Sequence, residues 1–125
     1  ALRLDKVCPS RLKGLVLSEL GKYDDSKKVF LAAIKLEPEF SELYNNLGLL
    51  HLKMKKIDDA VVSFQESIKK NVNNAVAYVN LGKALIEAER FDEALAAYDR
   101  ALQIDPSNRE AGEAVRLYQE GKIET

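Results

Sequence analysis

The sequence is short of the residues from which metal sites, disulfides and catalytic centres are usually assembled. It holds one cysteine, Cys8, and one histidine, His51. A lone cysteine excludes an intramolecular disulfide and any site built on several thiolates, and His51 has no second histidine or cysteine beside it to complete a zinc site. Charge of one sign is lacking as well. The 19 basic and 20 acidic residues leave a formal charge of -1, which offers no footprint for a nucleic-acid backbone or an anionic membrane. No apolar run approaches the roughly 18 residues of a spanning helix, and the first residues, "ALRLDKVCPS", lack the basic head and apolar middle of a signal peptide. No glycine-rich phosphate loop is present. The expectation is a soluble, cytoplasmic segment without cofactor, nucleic-acid partner or membrane insertion.

The sequence does contain a period. Residues 75–108 align without a gap on 41–74, and these on 7–40, making three units of 34 residues. Each unit carries two stretches with apolar residues at helical spacing. In the last, Tyr78, Leu81, Gly82 and Leu85 form one stripe and Ala94, Tyr98 and Ala101 a second, with Phe91 just before it. Two amphipathic helices per unit follow, joined by the turns "ELGKYDD", "KMKKIDD" and "EAERFDE". Asp24, Asp58 and Asp92 fall where a second helix starts, positioned to accept orphan N–H groups and oppose the helix dipole. Pro38 and Pro106 stop the second helices, and Ser107 with Glu110 has capping-box spacing.

Gly14, Gly48 and Gly82 recur inside the first stripe, although an interior glycine costs a helix roughly 1 kcal/mol against alanine. A fixed period points to packing: the partner helix comes in where the side chain is missing, and Ala60 and Ala94 leave room near Phe30, Phe64 and Tyr98. His51 occupies the stripe position of Leu17 and Leu85 and reads as a partly buried structural residue. Cys8, just before Pro9, sits near an expected helix start that would lower a thiol pKa, yet a silent thiol is the preferred reading. No nucleophile with a base emerges, so the chain reads as non-enzymatic.

"AYVNLGKALIEAERFDEALAAYDRALQIDP" resembles the tetratricopeptide repeat signature, from Tyr78, Leu81 and Gly82 through Phe91, Ala94, Tyr98 and Ala101 to Pro106. The likeness is strong over 41–108. It weakens over 7–40, where Ser10 and Lys13 replace a large aromatic and a leucine, and His51, Ser67 and Val72 depart from it in the second unit. The resemblance implies an all-α fold, a right-handed superhelical solenoid of helix-turn-helix repeats. A single domain of 1–125 would comprise 1–6 as the end of a preceding helix, repeats at 7–40, 41–74 and 75–108, and a capping helix and tail at 109–125. The capping helix is read from "REAGEAVRLYQEG", and the preceding helix from "ALRLD", which echoes "AIKLE" and "ALQID".

Stacked hairpins turn slightly from one to the next, so their first helices line a concave groove. The stripe beside the core stripe places there Arg11, Leu12, Leu15 and Glu19, then Asn45, Asn46, Leu49, Leu52 and Lys53, then Val79, Asn80, Lys83, Ile86 and Glu87. Asn46 and Asn80, one repeat apart, offer amides to an extended backbone, while the aliphatics are either partner contacts or inter-repeat core. The expected function is a protein-interaction module holding an extended peptide or a partner helix. The alternatives are a structural segment that self-associates through its terminal helices, or the targeting domain of a larger enzyme.

Tetratricopeptide co-chaperones grip a chaperone's C-terminal carboxylate with two lysines, two asparagines and an arginine. Here Arg11 stands in for one basic residue and Asn46 matches one asparagine. Leu15, Val76 and Asn80 occupy the other three places, which leaves a carboxylate largely uncompensated and argues against the clamp. Asn46 and Asn80 are similar to the asparagine ladder of O-linked N-acetylglucosamine transferase, with Leu12 interrupting it in the first unit.

Overall fold

The computed structural model describes residues 2–121, with side chains from Pro9 onward. These residues form seven helices and no strand: α1 (Leu2–Glu19), α2 (Tyr23–Leu36), α3 (Ser41–Lys53), α4 (Ile57–Lys70), α5 (Ala75–Glu87), α6 (Phe91–Ile104) and α7 (Arg109–Gln119). The starts of α2, α4 and α6 are spaced by the 34-residue period, as are those of α3 and α5. Helices α1 and α2, α3 and α4, and α5 and α6 pack as hairpins, and each second helix also packs on the first helix that follows it.

One boundary differs from the expectation. Helix α1 is continuous from Leu2 through Pro9 to Glu19, so residues 2–6 belong to the first helix of the first hairpin, not to a separate preceding helix. Proline removes one backbone donor from that helix, but the flanking turns continue through it. Cys8 consequently lies inside α1, not at a helix start; its side chain falls outside the described residues.

The glycines meet rings, a closer statement than the approach of a helix. A Cβ on Gly14, Gly48 or Gly82 would stand 2.6, 2.5 or 2.7 Å from the ring of Phe30, Phe64 or Tyr98 respectively. Each ring comes from the second helix of the same hairpin and covers backbone that only glycine leaves bare. Phe30 and Phe64 are wholly buried as a result. Ala60 and Ala94 are sealed beside them. In the first unit that place is held by Ser26, whose hydroxyl donates to the Gly14 carbonyl at 2.6 Å. A hydroxyl is tolerated there because it finds an acceptor.

Each hairpin turns through a left-handed residue, at Gly21 (φ 79°), Lys55 (φ 62°) and Glu89 (φ 60°). The N–H groups of Lys22, Lys56 and Arg90 close the turns on the carbonyls of Leu17, His51 and Leu85, which is the Schellman pattern of helix termination. Two capping expectations are corrected. Asp24, Asp58 and Asp92 sit in the first turns of α2, α4 and α6 but make no side-chain cap, so their contribution there is to the dipole. Helix α7 is capped by Asn108, which accepts from the Ala111 N–H at 2.9 Å, and not by Ser107, which turns back to Asp105. The second helices end two residues before Pro38 and Pro106; α4 ends at the same place without a proline.

Candidate functional site

The first helices of neighbouring hairpins are tied together by polar bonds across one shared face. Between α1 and α3, Lys53 Nζ meets Glu19 Oε1 at 2.5 Å, and Arg11 Nε lies 3.8 Å from Glu42 Oε2. Between α3 and α5, the Asn80 amide donates to Asn45 Oδ1 at 2.9 Å in a buried setting. Between α5 and α7, Lys83 Nζ meets Glu110 Oε2. Three of the expected groove cations, Arg11, Lys53 and Lys83, therefore already face carboxylates of the chain itself. The hydrogen bond from Lys53 holds the Glu19 carboxyl below the usual range.

The asparagines divide into two cases. Asn45 and Asn80 are 35 residues apart, and so are Arg11 and Asn46, so Arg11 stands to Asn46 as Asn45 stands to Asn80. The first pair joins an acceptor to a donor. The second sets two donors at equivalent places in the repeat: Arg11 Nε and Asn46 Nδ2 are both buried, and neither has a hydrogen-bond partner. Only 8% of Asn46 is exposed. A buried donor without an acceptor carries its full desolvation cost, roughly 1–3 kcal/mol. An incoming carbonyl or carboxylate oxygen would relieve it.

The other expected groove residues are distributed unevenly. Lys53, Lys83 and Glu87 are exposed, and Leu15, Leu49, Leu52 and Ile86 are half-buried against the two cores. Val79 is only 4% exposed and belongs to the core, so it does not line an accessible surface. The period assigns it to the stripe beside the core stripe, but the core stripe it implies is narrower than the surface that neighbouring first helices bury. Asn45 and Asn80 are likewise engaged with each other, which removes the Asn80 amide donor from the free ladder expected on the groove.

A sequence scan against family models matches residues 45–109, just over half of the chain, to "Tetratricopeptide repeat" and residues 14–55 to "TPR repeat". The chain belongs to the tetratricopeptide repeat family. Tetratricopeptide repeat domains are protein-interaction modules and typically not enzymes. No curated protein matches the sequence. Among solved structures, the first repeat domain of Spaghetti (RPAP3) bound to an HSP90 peptide is 24% identical, with 94% of this chain and 93% of that one covered and a TM-score of 0.85. The second repeat domain of human RPAP3, in complex with an HSP70 peptide, is 19% identical, with 98% of each chain covered and a TM-score of 0.84. The Yersinia enterocolitica secretion translocator chaperone SycD is 19% identical over 94% of this chain and 95% of that one, at 0.86. At these identities the likeness is one of fold.

Two features of this tetratricopeptide array carry little or no signal in the sequence. Ser41 and Ser67 exchange hydroxyl-to-carbonyl bonds at 2.8 and 2.9 Å, and the Asn74 amide donates to Ser41 Oγ, so the start of α3, the end of α4 and the cap of α5 are joined in one buried knot. Ser67 stands out as a departure from alanine, but nothing near it points to a partner 26 residues away. The second feature is an open, shallow cleft of about 360 Å³ between α5 and α7, lined by Lys83, Ile86, Glu110, Glu113, Ala114 and Leu117. Tyr98 also lines it, and burial pushes that phenol up to a pKa of about 12. His51 is buried, with Nδ1 unpartnered, and burial lowers its pKa. Among the described residues no cluster could hold a metal ion, and no helix is long and apolar enough to cross a membrane.

Proposed function

We infer that this chain is a protein-interaction module whose first-helix face holds an extended peptide, with an acceptor oxygen of that peptide seated on Asn46 Nδ2 beside Arg11. The single observation that carries the reading is the orphaned Asn46 donor, set against the closed Asn80–Asn45 bond one repeat on. A main-chain carbonyl fits better than an acidic chain terminus. Lys53 and Lys83 are engaged by Glu19 and Glu110, Val76 is apolar and exposed where a clamp has a lysine, and Asn80 is committed to Asn45. The RPAP3 domains in the comparison are bound to peptides ending in EEVD; this chain lacks most of the charge such an end requires.

Peptides selected from a random dodecamer display library against the folded chain test the reading. Their affinity is expected to fall about tenfold in Asn46→Leu, the worth of one hydrogen bond to a buried donor, while the melting temperature does not fall, because the variant also removes the unpartnered donor. Undiminished binding by that variant would remove the Asn46 seat.

A second reading has an observation of its own. Leu12 and Val16 on α1 and Leu20 just past its end are 58%, 57% and 65% exposed, whereas Leu50 and Ala84, the equivalents of Val16 in the next two repeats, are sealed where the preceding second helices pack. That stripe suits stacking on another helical repeat, and a monomer across a wide concentration range in sedimentation would count against it.

A further inference from the structure

We propose that the open face of the first hairpin docks an amphipathic helix of a partner protein, one that brings a carboxylate to Lys13. The proposal takes up the α1 stripe of the second reading, names its occupant, and is independent of the Asn46 seat. The chain itself shows how such a face is covered. Helix α2 packs on α3, α4 on α5 and α6 on α7, so each later first helix lies against the second helix before it. Among the described residues no second helix lies over α1 in this way. The positions left open are those that the arrangement buries elsewhere. Val16 corresponds to Leu50 and Ala84, and Val29 of α2 to Ser63 and Ala97; the later residues are buried, while Val16 is exposed and Val29 half-buried. Leu12 and Leu20, one turn to either side of Val16, extend the exposed aliphatic stripe over roughly 12 Å. That is the footprint of one helix presenting an apolar face.

Lys13 decides the chemistry of the occupant. It stands where Leu47 and Leu81 belong to the two cores, yet it is exposed and makes no ion pair with a described residue. A helix laid here as α4 is laid on α5 takes water from the Lys13 ammonium, a cost that an opposite charge on the incoming helix offsets. The charges of α2 at this end do not supply it. Asp25 and Lys28, which stand where Glu93 and Ala96 line the cleft against α4, cancel in sum and leave Lys13 over. A second copy of the chain does not supply it either. Glu19 is the one carboxylate among the described side chains of α1, and Lys53 holds it at 2.5 Å, so two α1 faces set together would bring two unpaired lysines to one interface.

The test uses the folded chain and a probe taken from it, so it does not depend on finding the natural partner. A peptide of the α6 sequence, Phe91–Ile104, is a second helix with three acidic residues and one basic. A hydrocarbon staple between positions 96 and 103, both exposed in the fold, keeps it helical on its own. The control peptide carries Asp92→Asn, Glu93→Gln and Asp99→Asn. Backbone amide resonances of the chain are followed by NMR as each peptide is added. The expected result is saturable shifts at Leu12, Lys13, Val16 and Leu20 with the acidic peptide. Binding is expected to be roughly threefold to tenfold weaker for the control peptide, for Lys13→Gln and for Val16→Ser, and unchanged in Asn46→Leu; both α1 variants alter exposed side chains, so their melting temperatures are expected to match wild type. The free chain is expected to sediment as a monomer. Absence of saturable shifts on α1, or equal binding of the two peptides, would overturn the proposal. So would a concentration-dependent dimer that Val16→Ser dissolves, which would assign the face to a second copy.

Discussion

The ring of Phe64 covers Gly48 so closely that a methyl group on the glycine would stand 2.5 Å from Cε1 and 2.7 Å from Cδ1. Phe64 is wholly buried and cannot retreat into solvent. Gly48→Ala is therefore expected to destabilise the chain by about 1–2 kcal/mol, the overpacking cost less the gain in helix propensity. Gly112 sits in α7, where an added methyl group would meet nothing within 4 Å, so Gly112→Ala is expected to stabilise by about 0.5–1 kcal/mol. Urea unfolding of the two variants measures both; the same sign for the pair would refute the packing account of the glycine period.

The hairpin turns allow a converse experiment. Lys55 and Glu89 hold the left-handed conformation that Gly21 holds without a Cβ. Lys55→Gly and Glu89→Gly are each expected to raise stability by several tenths of a kcal/mol to about 1, and Gly21→Ala to lower it by a similar amount. Thermal melts resolve such changes as shifts of a few degrees.

Burial lowers the His51 pKa, a shift opposed by Asp59 and reinforced by Lys27 and Lys56. The folded state thus favours the neutral ring. The contribution is fully present above the unfolded value of about 6.5 and is lost as pH falls below it toward the folded pKa, because the unfolded chain takes up the proton first. Wild type is expected to lose more melting temperature between about pH 7.5 and 5.5 than His51→Leu, which restores the residue type found at positions 17 and 85. Parallel pH profiles would show that His51 is not responsible.

Asn80→Ala leaves Asn45 Oδ1 buried without its donor and is expected to cost about 1–3 kcal/mol, whereas Asn80→Leu combined with Asn45→Val removes both partners and recovers most of that loss. Chemical denaturation of the single and double variants checks it. Loss of binding in Asn80→Ala would consequently confound folding with recognition, which is why Asn46 is the residue to change in a peptide experiment.

The helices, their 34-residue spacing and the glycine stripe were legible in the chain because backbone propensity and a 3.6-residue pattern act locally, and three copies of the pattern reinforce one another. Glycine paired with a ring sixteen residues later was implied by the period, though not the direct contact. The caps were less legible. Asn108 and Ser107 are neighbours with similar side chains, and only the backbone path decides which one reaches the Ala111 N–H. The Ser41–Ser67 knot had no local signature at all.

Sequence by itself determined that this protein is a stack of paired helices, because the pattern that forms and pairs them is local and repeated. Tertiary structure decided which polar groups on the first-helix face are spent and which are left over. Arg11 and Asn46 repeat the spacing of Asn45 and Asn80, yet one pair closes and the other is two donors. Satisfaction of a buried group depends on atoms a few ångströms away across a helix interface, and that geometry is set by packing between segments far apart in the chain.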